Sequence, residues 1–526
     1  MTSVEALTAI EPGSPAELEA FANLQARLAP MYRRIFSDRQ APRTVVVVPS
    51  LSLDLEVQAK ITGVTHYEER MLCLLMLLRL PRTHLVYVTS QPVHPAVIDY
   101  YLHLLPGVPA RHARERLTLL DCADGSPLAL TDKILDRPRL VSRMIEVIGD
   151  PMSAHLTCFN ATSRERTLAV QLGIPLYACD PSLSRLGSKS GARQLLRKSG
   201  ITIPEGSEGM RDLDDLVGAI TELRSGDRSL NAVVIKLDDG FSGEGNALFR
   251  FDGAPDTALG EWVRRTLPER ILFEAAGESM DPYLEKLARM GGVVEAFVDG
   301  PDKRSPSVQC RINPVGEVEV ISTHDQALGG PNGQVFLGAS FPADGEYRHD
   351  LHRMALDVGR RLAALGVLGR FGVDFISTRA ADGTWMHNAL EINLRKGGTT
   401  LPFMMLEFLT DGAYDLERGE YLTAAGQPRS YVASDNVESP FYRGMTPDDL
   451  IDLAVYNGLH FEASSQAGVV FHLMGALSRY GKLGLVAIGE DLITADQIYR
   501  ETLSVLDREA GTATTGRSPP DWRHSA

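Results

Sequence analysis

GRFGVDFISTRAADGTWMHNALEINLR, residues 369–395, is the stretch on which the reading of this chain turns. At its centre Asp382-Gly383 is a strong two-residue hairpin signal, since both central positions of a type I′ turn need φ > 0. Such a turn sets Ala381 opposite Thr384 and, further down the ladder, Asp374 opposite Glu391. One face of the hairpin then carries Phe371, Val373, Phe375, Leu390, Ile392 and Leu394. The other carries Arg370, Gly372, Asp374, Glu391, Asn393 and Arg395. A one-residue slip would scramble both faces, so the uniform apolar side supports this register.

Directly paired residues have Cβ atoms about 5 Å apart, so two carboxylates there repel unless a cation lies between them. Two carboxylates and an amide oxygen suit a hard ion such as Mg²⁺, which keeps waters and takes further ligands from phosphates. Asp374, Glu391 and Asn393 are therefore the candidate metal ligands. The alternative is that the two acids salt-bridge to Arg370 and Arg395 on the same face. Gly372, beside Asn393, leaves room for a ligand to approach the sheet.

Upstream, TVVVVPSLSL (44–53), HLVYVTS (84–90), RLTLLDCAD and HLTCFN read as buried strands, with a short one at IPLYACD. Helical stretches alternate with them, THYEERMLCLLMLLRL being a long amphipathic one, which predicts a parallel doubly wound sheet. From about residue 186 the rhythm changes to antiparallel strands, an α+β pattern. The expected units are a helical lead-in (1–43), a parallel α/β unit (44–185), and two mixed lobes (186–290 and 291–430). A smaller α/β unit (431–508) and a polar, disordered tail (509–526) follow.

Two elements in the third unit suit phosphate. A strand ending at Lys236 opens into DDGFSGEGN, where Gly240, Gly243 and Gly245, with Ser242, let the backbone approach an anion. Neither a GxxxxGK[ST] nor a GxGxxG pattern is present. Lys189, in GSKSGAR, opens a helix whose N-terminus favours anions. In VVEAFVDG the apolar strand is interrupted by Glu295, and the backbone after it, near Phe297, could bond an adenine edge.

The chain has 526 residues, 44% of them apolar and 23% charged, which excludes disorder for its bulk. A net charge of −15 disfavours nucleic acid and makes any local basic cluster informative. Five scattered cysteines without a CxxC pair suggest reduced thiols and a cytoplasmic setting. The opening residues lack a basic region followed by an apolar core, and no apolar run reaches the ~20 residues of a membrane span, so a soluble protein is expected.

In chain order these pieces resemble the ATP-grasp superfamily, over about residues 44–400. The resemblance implies an ATP-grasp fold behind an N-terminal parallel α/β (pre-ATP-grasp) domain, with ATP and one or two Mg²⁺ ions (Mn²⁺ as the alternative) as cofactors. By it Lys189 and Lys236 hold the phosphates, residues 240–245 form a lid over them, and Glu295 with the backbone at Phe297 holds the adenosine. Asp374, Glu391 and Asn393 bind the metal, and Arg395 stabilises the transferring phosphoryl group. The strings VVVVPSLSLD, THYEERML, LGSKSGAR, NGQVFLGASFPA, EINLRKGGTT and GVVFHLMGALSRYGKLGLVAIGE look like the pheganomycin-type peptide ligases, which end in a small C-terminal domain. Leu401 departs from the His expected after the paired threonines.

The implied reaction is ATP-dependent joining of a small carboxylate to an amino-acid or peptide amine through an acyl phosphate, in peptide natural-product biosynthesis. A kinase acting on a hydroxyl is the competing reading. The superfamily resemblance also implies a homodimer. Further candidates for substrate contact are His66, Tyr67, Glu68 and Arg70 in HYEER, with Arg311, His324 and Arg370 on strands. His472, in an apolar strand, reads as a hydrogen-bonded core histidine.

Overall fold

The computed structural model describes residues 10–511, apart from 54, 241–244, 276 and 331–332. Three sheets organise it. The first is parallel, built from β1 (Arg43–Val48), β2 (Thr83–Thr89), β3 (Leu117–Asp121) and β4 (Ala154–Cys158) in the order β3-β2-β1-β4. The four consecutive valines of β1 alternate between two cores, Val45 and Val47 on one side, Val46 and Val48 on the other. Burial on both faces is what a continuous Val run in a parallel sheet serves. IPLYACD joins this sheet only through a bridge between Leu156 and Leu176.

The segment Val64–Arg79 is not the amphipathic α-helix its pattern suggested. It winds in 3₁₀ turns, and Glu68 to Met76 and Leu78 are all buried. Its apolar run packs on β2 and on the helix Thr400–Thr410, so it has no solvent face to keep polar.

The second sheet is antiparallel, with β5 (Gly206–Met210), β6 (Ala232–Leu237), β7 (Asn246–Arg250), β8 (Leu272–Phe273) and β9 (Gly292–Ala296) in the order β5-β9-β6-β7-β8. The third has ten strands. They are β10 (Pro306–Ile312), β11 (Val318–Gly329), β12 (Val335–Phe341), β13 (Gly369–Arg379), β14 (Trp385–Asn393), β15 (Ala413–Asp415), β16 (Glu420–Leu422), β17 (Pro428–Glu438), β18 (Gly468–His472) and β19 (Lys482–Gly489). Helix Arg348–Ala364 covers one face of β10, β11 and β13, which leaves the opposite face to the cleft.

The stretch expected as a small separate unit from residue 431 has no sheet of its own. Its strand β17 pairs with β12 on one side and with β19 on the other. Among the described residues no helix is long and apolar enough to cross a membrane.

Candidate active site

A cleft of about 370 Å³ opens where the three sheets meet, within the roughly 300–1,000 Å³ typical of small-molecule sites. Its floor is the β13–β14 hairpin. Asp374 lies opposite Glu391 and Gly372 opposite Asn393, as the ladder arithmetic required. The turn, however, is a different one. Ala380 and Thr384 close a three-residue loop, in which only Gly383 takes positive φ (+88°) and Asp382 Oδ1 accepts the Thr384 N–H at 2.9 Å. That shifts the register by one, and a bulge between Asp374 and Phe375 restores it. Leu390 consequently leaves the apolar face and lines the cleft, while Ala389 takes its place in the core. Bulges of this kind re-aim a side chain beside a site.

The Asn393 amide nitrogen donates to Asp374 Oδ2 and Glu391 Oε1, each at 2.9 Å. The Lys189 ammonium lies against Glu391. Burial raises the Asp374 carboxyl, against the opposing pull of Ser307 and Lys189. Gln326 donates to Asp374 Oδ1 at 3.2 Å. Of the two arginines on this face of the hairpin, only one stays with the acids. Arg370 sits 3.9 Å from Glu407, outside the cleft lining, whereas Arg395 lines it and stays near Asp374. The room beside Gly372 is taken by Gln309, whose Nε2 would lie 2.7 Å from an added Cβ.

Lys189 opens the helix Lys189–Lys198, but the amides of that N-terminus are already used. Ser188 Oγ accepts the Gly191 N–H at 3.1 Å and Asp238 Oδ1 the Ser190 N–H at 2.7 Å. Asp238, an unwelcome charge beside a phosphate, is thus a clamp joining β6 to this helix. The Lys189 side chain is left as the anion contact. Its burial, with Lys236 nearby, lowers its pKa to about 7.

On β6, Lys236 Nζ meets Glu295 Oε2 at 2.6 Å, and Arg193 holds the other oxygen at 2.6 Å. Glu295 is 2% exposed. Its carboxylate is committed to orienting Lys236, which differs from the ribose contact the resemblance implied. Phe297 lines the cleft with Val234, Val298 and Ile376 as an apolar slot, although its own N–H is spent on Ala232 O at 3.1 Å. Gly240 lines the cleft too. Gly245, at φ +88°, instead packs on Leu237 and gives its carbonyl to the Tyr283 hydroxyl at 2.9 Å. Ser242 and Gly243 lie outside the described residues.

Of the remaining candidates, Tyr67 and Arg70 reach the cleft. His66 pairs with Glu69 at 3.2 Å. Arg311 pairs with Glu319, its Nε at 3.2 Å. His324 is fully buried, 2.6 Å from the Tyr431 hydroxyl, and burial drives its pKa down to about 3. His472 is buried as expected but is not hydrogen-bonded, since neither ring nitrogen has a partner among the described residues.

Glu68 turns inward, accepting from Ser90 N at 2.6 Å and bonding Ser90 Oγ at 2.5 Å. Burial raises its carboxyl from 4.5 to about 7, against Ser90 and Lys133. A raised folded-state pKa contributes stability that is fully present below about 4.5 and is lost as pH rises through about 7. The thermal midpoint is therefore expected to fall across this window, and Glu68→Gln to flatten the fall, by at most about 3 kcal/mol. Identical slopes for the two proteins would sink this.

Several residues at or behind the cleft carried no sequence signal. Arg193 points back into the small lobe from mid-helix, and Lys303 lines the cleft 4.1 Å from the Phe297 ring centroid. Asp435 and Asn436 line the far end of the cleft. They occupy a bulge where β17 shifts register against β19.

Comparisons with known proteins fit this geometry. Residues 271–417 match the family model "IQCH-like, ATP-grasp", and residues 449–502 match "PGM1 C-terminal domain". L-propargylglycine--L-glutamate ligase of Streptantibioticus cattleyicolor is 31% identical over 450 residues, covering 83% of this chain and 89% of that protein. Two solved structures share the fold at low identity. The biotin carboxylase domain of Hydrogenobacter thermophilus 2-oxoglutarate carboxylase has TM-score 0.54 and 12% identity, over 88% of this chain and 89% of that one. Campylobacter jejuni biotin carboxylase has TM-score 0.53 and 11% identity, over 92% and 98%. With the relative at this identity and coverage, and with the cleft built as it is, the chain belongs to the ATP-grasp ligases, enzymes that form carbon–nitrogen bonds.

Proposed function

We propose that this protein joins a small carboxylate to an amino-acid or peptide amine with ATP and Mg²⁺, releasing ADP and phosphate through an acyl phosphate. The observation that carries the reading is the meeting, in one cleft, of Lys189, Lys236 and Arg395 with the Asp374, Glu391 and Asn393 set. In a chain of net charge −15 this is where positive charge is gathered for a polyphosphate.

The residues present fit a divalent ion. Two carboxylates face each other across the hairpin, and the charge between them is at present met by the Lys189 ammonium and the Asn393 amide. Among the described residues no three or more His, Cys, Asp or Glu gather around a common point. An ion held by Asp374, Glu391 and Asn393 therefore completes its shell with water and phosphate oxygens, as Mg²⁺ does. Bound Mg²⁺ supplies charge neutralisation to the phosphates.

The chain's own groups do the rest. Glu295 and Arg193 hold Lys236 in place, so its ammonium arrives oriented at negligible reorganisation. Arg395 supports the charge that develops on the phosphoryl and acyl oxygens. Val234, Phe297, Val298 and Ile376 receive the apolar base. Because the S. cattleyicolor relative is named for two amino-acid substrates, amino acids are the substrate class favoured here.

Incubating purified protein with ATP, Mg²⁺ and pooled amino acids and peptides tests this. Ligation predicts phosphate release that requires both a carboxylate and an amine, with a product one water lighter than their sum. A phosphorylated product would transfer the assignment to a kinase.

A further inference from the structure

At the end of the cleft away from the apolar slot, Arg70 stands in an unusual environment for a guanidinium. It is 4% exposed, lies 5.3 Å from the Tyr67 ring centroid and 5.0 Å from that of Phe159, and lines the cleft. Its ion pair, to Asp435 Oδ2, is long at 3.4 Å, and its Nε has no hydrogen-bond partner among the described residues. A buried guanidinium offers five donors in a planar fork, and leaving them unmet is unfavourable. A carboxylate accepting two parallel N–H bonds is the ligand that fits such a fork.

Asp435 is presented by the β17 bulge. Asn436 beside it donates to Asp435 Oδ1 at 3.2 Å and is itself held by Lys482 Nζ at 2.9 Å. An anion receptor and a carboxylate thus sit side by side, matched to the two ends of a zwitterion. The Arg395 guanidinium lies 5.9 Å from the same Phe159 ring, so one ring separates this pair from the phosphoryl end of the cleft.

We infer that Arg70 and Asp435 form the subsite for the acceptor substrate, a free α-amino acid, Arg70 receiving its α-carboxylate and Asp435 its amino group. The inference rests on the ligase reading for the word acceptor. The donor's reacting carboxylate is consumed during ligation and belongs beside Arg395. The acceptor's carboxylate survives as the free end of the product, which suits a permanent partner at Arg70.

The test is calorimetric titration of the protein, loaded with Mg²⁺ and a non-hydrolysable ATP analogue, with each of the twenty L-amino acids and their primary amides. At least one free acid is expected to bind, and its amide, lacking the anion, on the order of 100-fold more weakly. In Arg70→Met the two should bind within about threefold, and Arg70→Lys, with charge but no fork, should keep part of the preference. Failure of every free acid to bind, equal binding of acid and amide to the native protein, or a preference that survives Arg70→Met overturns the subsite. So does a product in which the identified amino acid has lost its own carboxylate to the new bond. Should Arg70→Met not fold, the acid-against-amide comparison on the native protein still decides. Trapping with hydroxylamine separates the two readings: no hydroxamate from any carboxylate, alongside Arg70-dependent amino-acid binding, removes the ligase reading and leaves the subsite standing.

Discussion

Glu391→Gln is expected to lower kcat by about 100-fold or more, the scale of losing one preorganised electrostatic group from a buried site. The change keeps shape and volume and removes one charge. Glu391 is only partly buried and stands at a strand position whose backbone pairing it does not control, so the fold should survive. What is lost is the anion opposite Asp374 that draws Lys189 and, with Asp374 and Asn393, is proposed to hold the metal. The Mg²⁺ concentration for half-maximal rate should rise together with the fall in kcat. Near-native turnover at saturating Mg²⁺, in a variant of unchanged thermal midpoint, would remove Glu391 from the metal site.

The second large effect is on stability. Glu295→Gln leaves the Lys236 ammonium and the Arg193 guanidinium facing a neutral amide inside the small lobe. Breaking a buried ion pair from one side destabilises by about 3–5 kcal/mol, because an uncompensated charge stays buried. Burial alone would raise the Glu295 carboxyl, but Lys236 and Arg193 outweigh it and hold the pKa below 4.5. The carboxylate's contribution is therefore present above about 4.5 and is lost as pH falls through the depressed value. The gap between native and variant protein should close in acid. A chain with three sheets need not unfold in one step, so hydrogen exchange at the β6 and β9 amides is the measurement. Protection equal to the native protein's at neutral pH would contradict the argument.

How much of this was legible beforehand is clearest at the hairpin. The pairing of Asp374 with Glu391 follows from alternation and a turn signal, yet the turn assumed for it was the wrong one. A three-residue loop and a bulge near Leu390 offset each other, so the apolar faces on either side kept their phase. Alternation reports which residues face the core; it does not report an inserted residue that the core tolerates. Leu390 was misplaced for that reason. The lysines at 189 and 236 were visible because each ends or opens an element next to small residues. Gln309 and Lys303, which line the cleft, and Arg193, which acts behind it through Glu295, were not, since each meets neighbours in space that lie far along the chain. The opposite error befell His66, Glu68, Arg311 and His324. Each is a polar residue on or beside an apolar element, and each found its partner within the fold instead of in the cleft.

The seam between β12 and β17 bears on how this scaffold can be re-engineered. Because residues 431–508 contribute strands to the same sheet as the β13–β14 hairpin, they cannot be exchanged between relatives as a cassette. A graft would cut that seam and leave two unpaired strand edges, an invitation to aggregation. Retargeting the acceptor end calls for point changes at Asp435 and Asn436, where the bulge presents side chains without disturbing the pairing on either side. The five-stranded small lobe has its own sheet and core, and it is the part suited to wholesale transplantation.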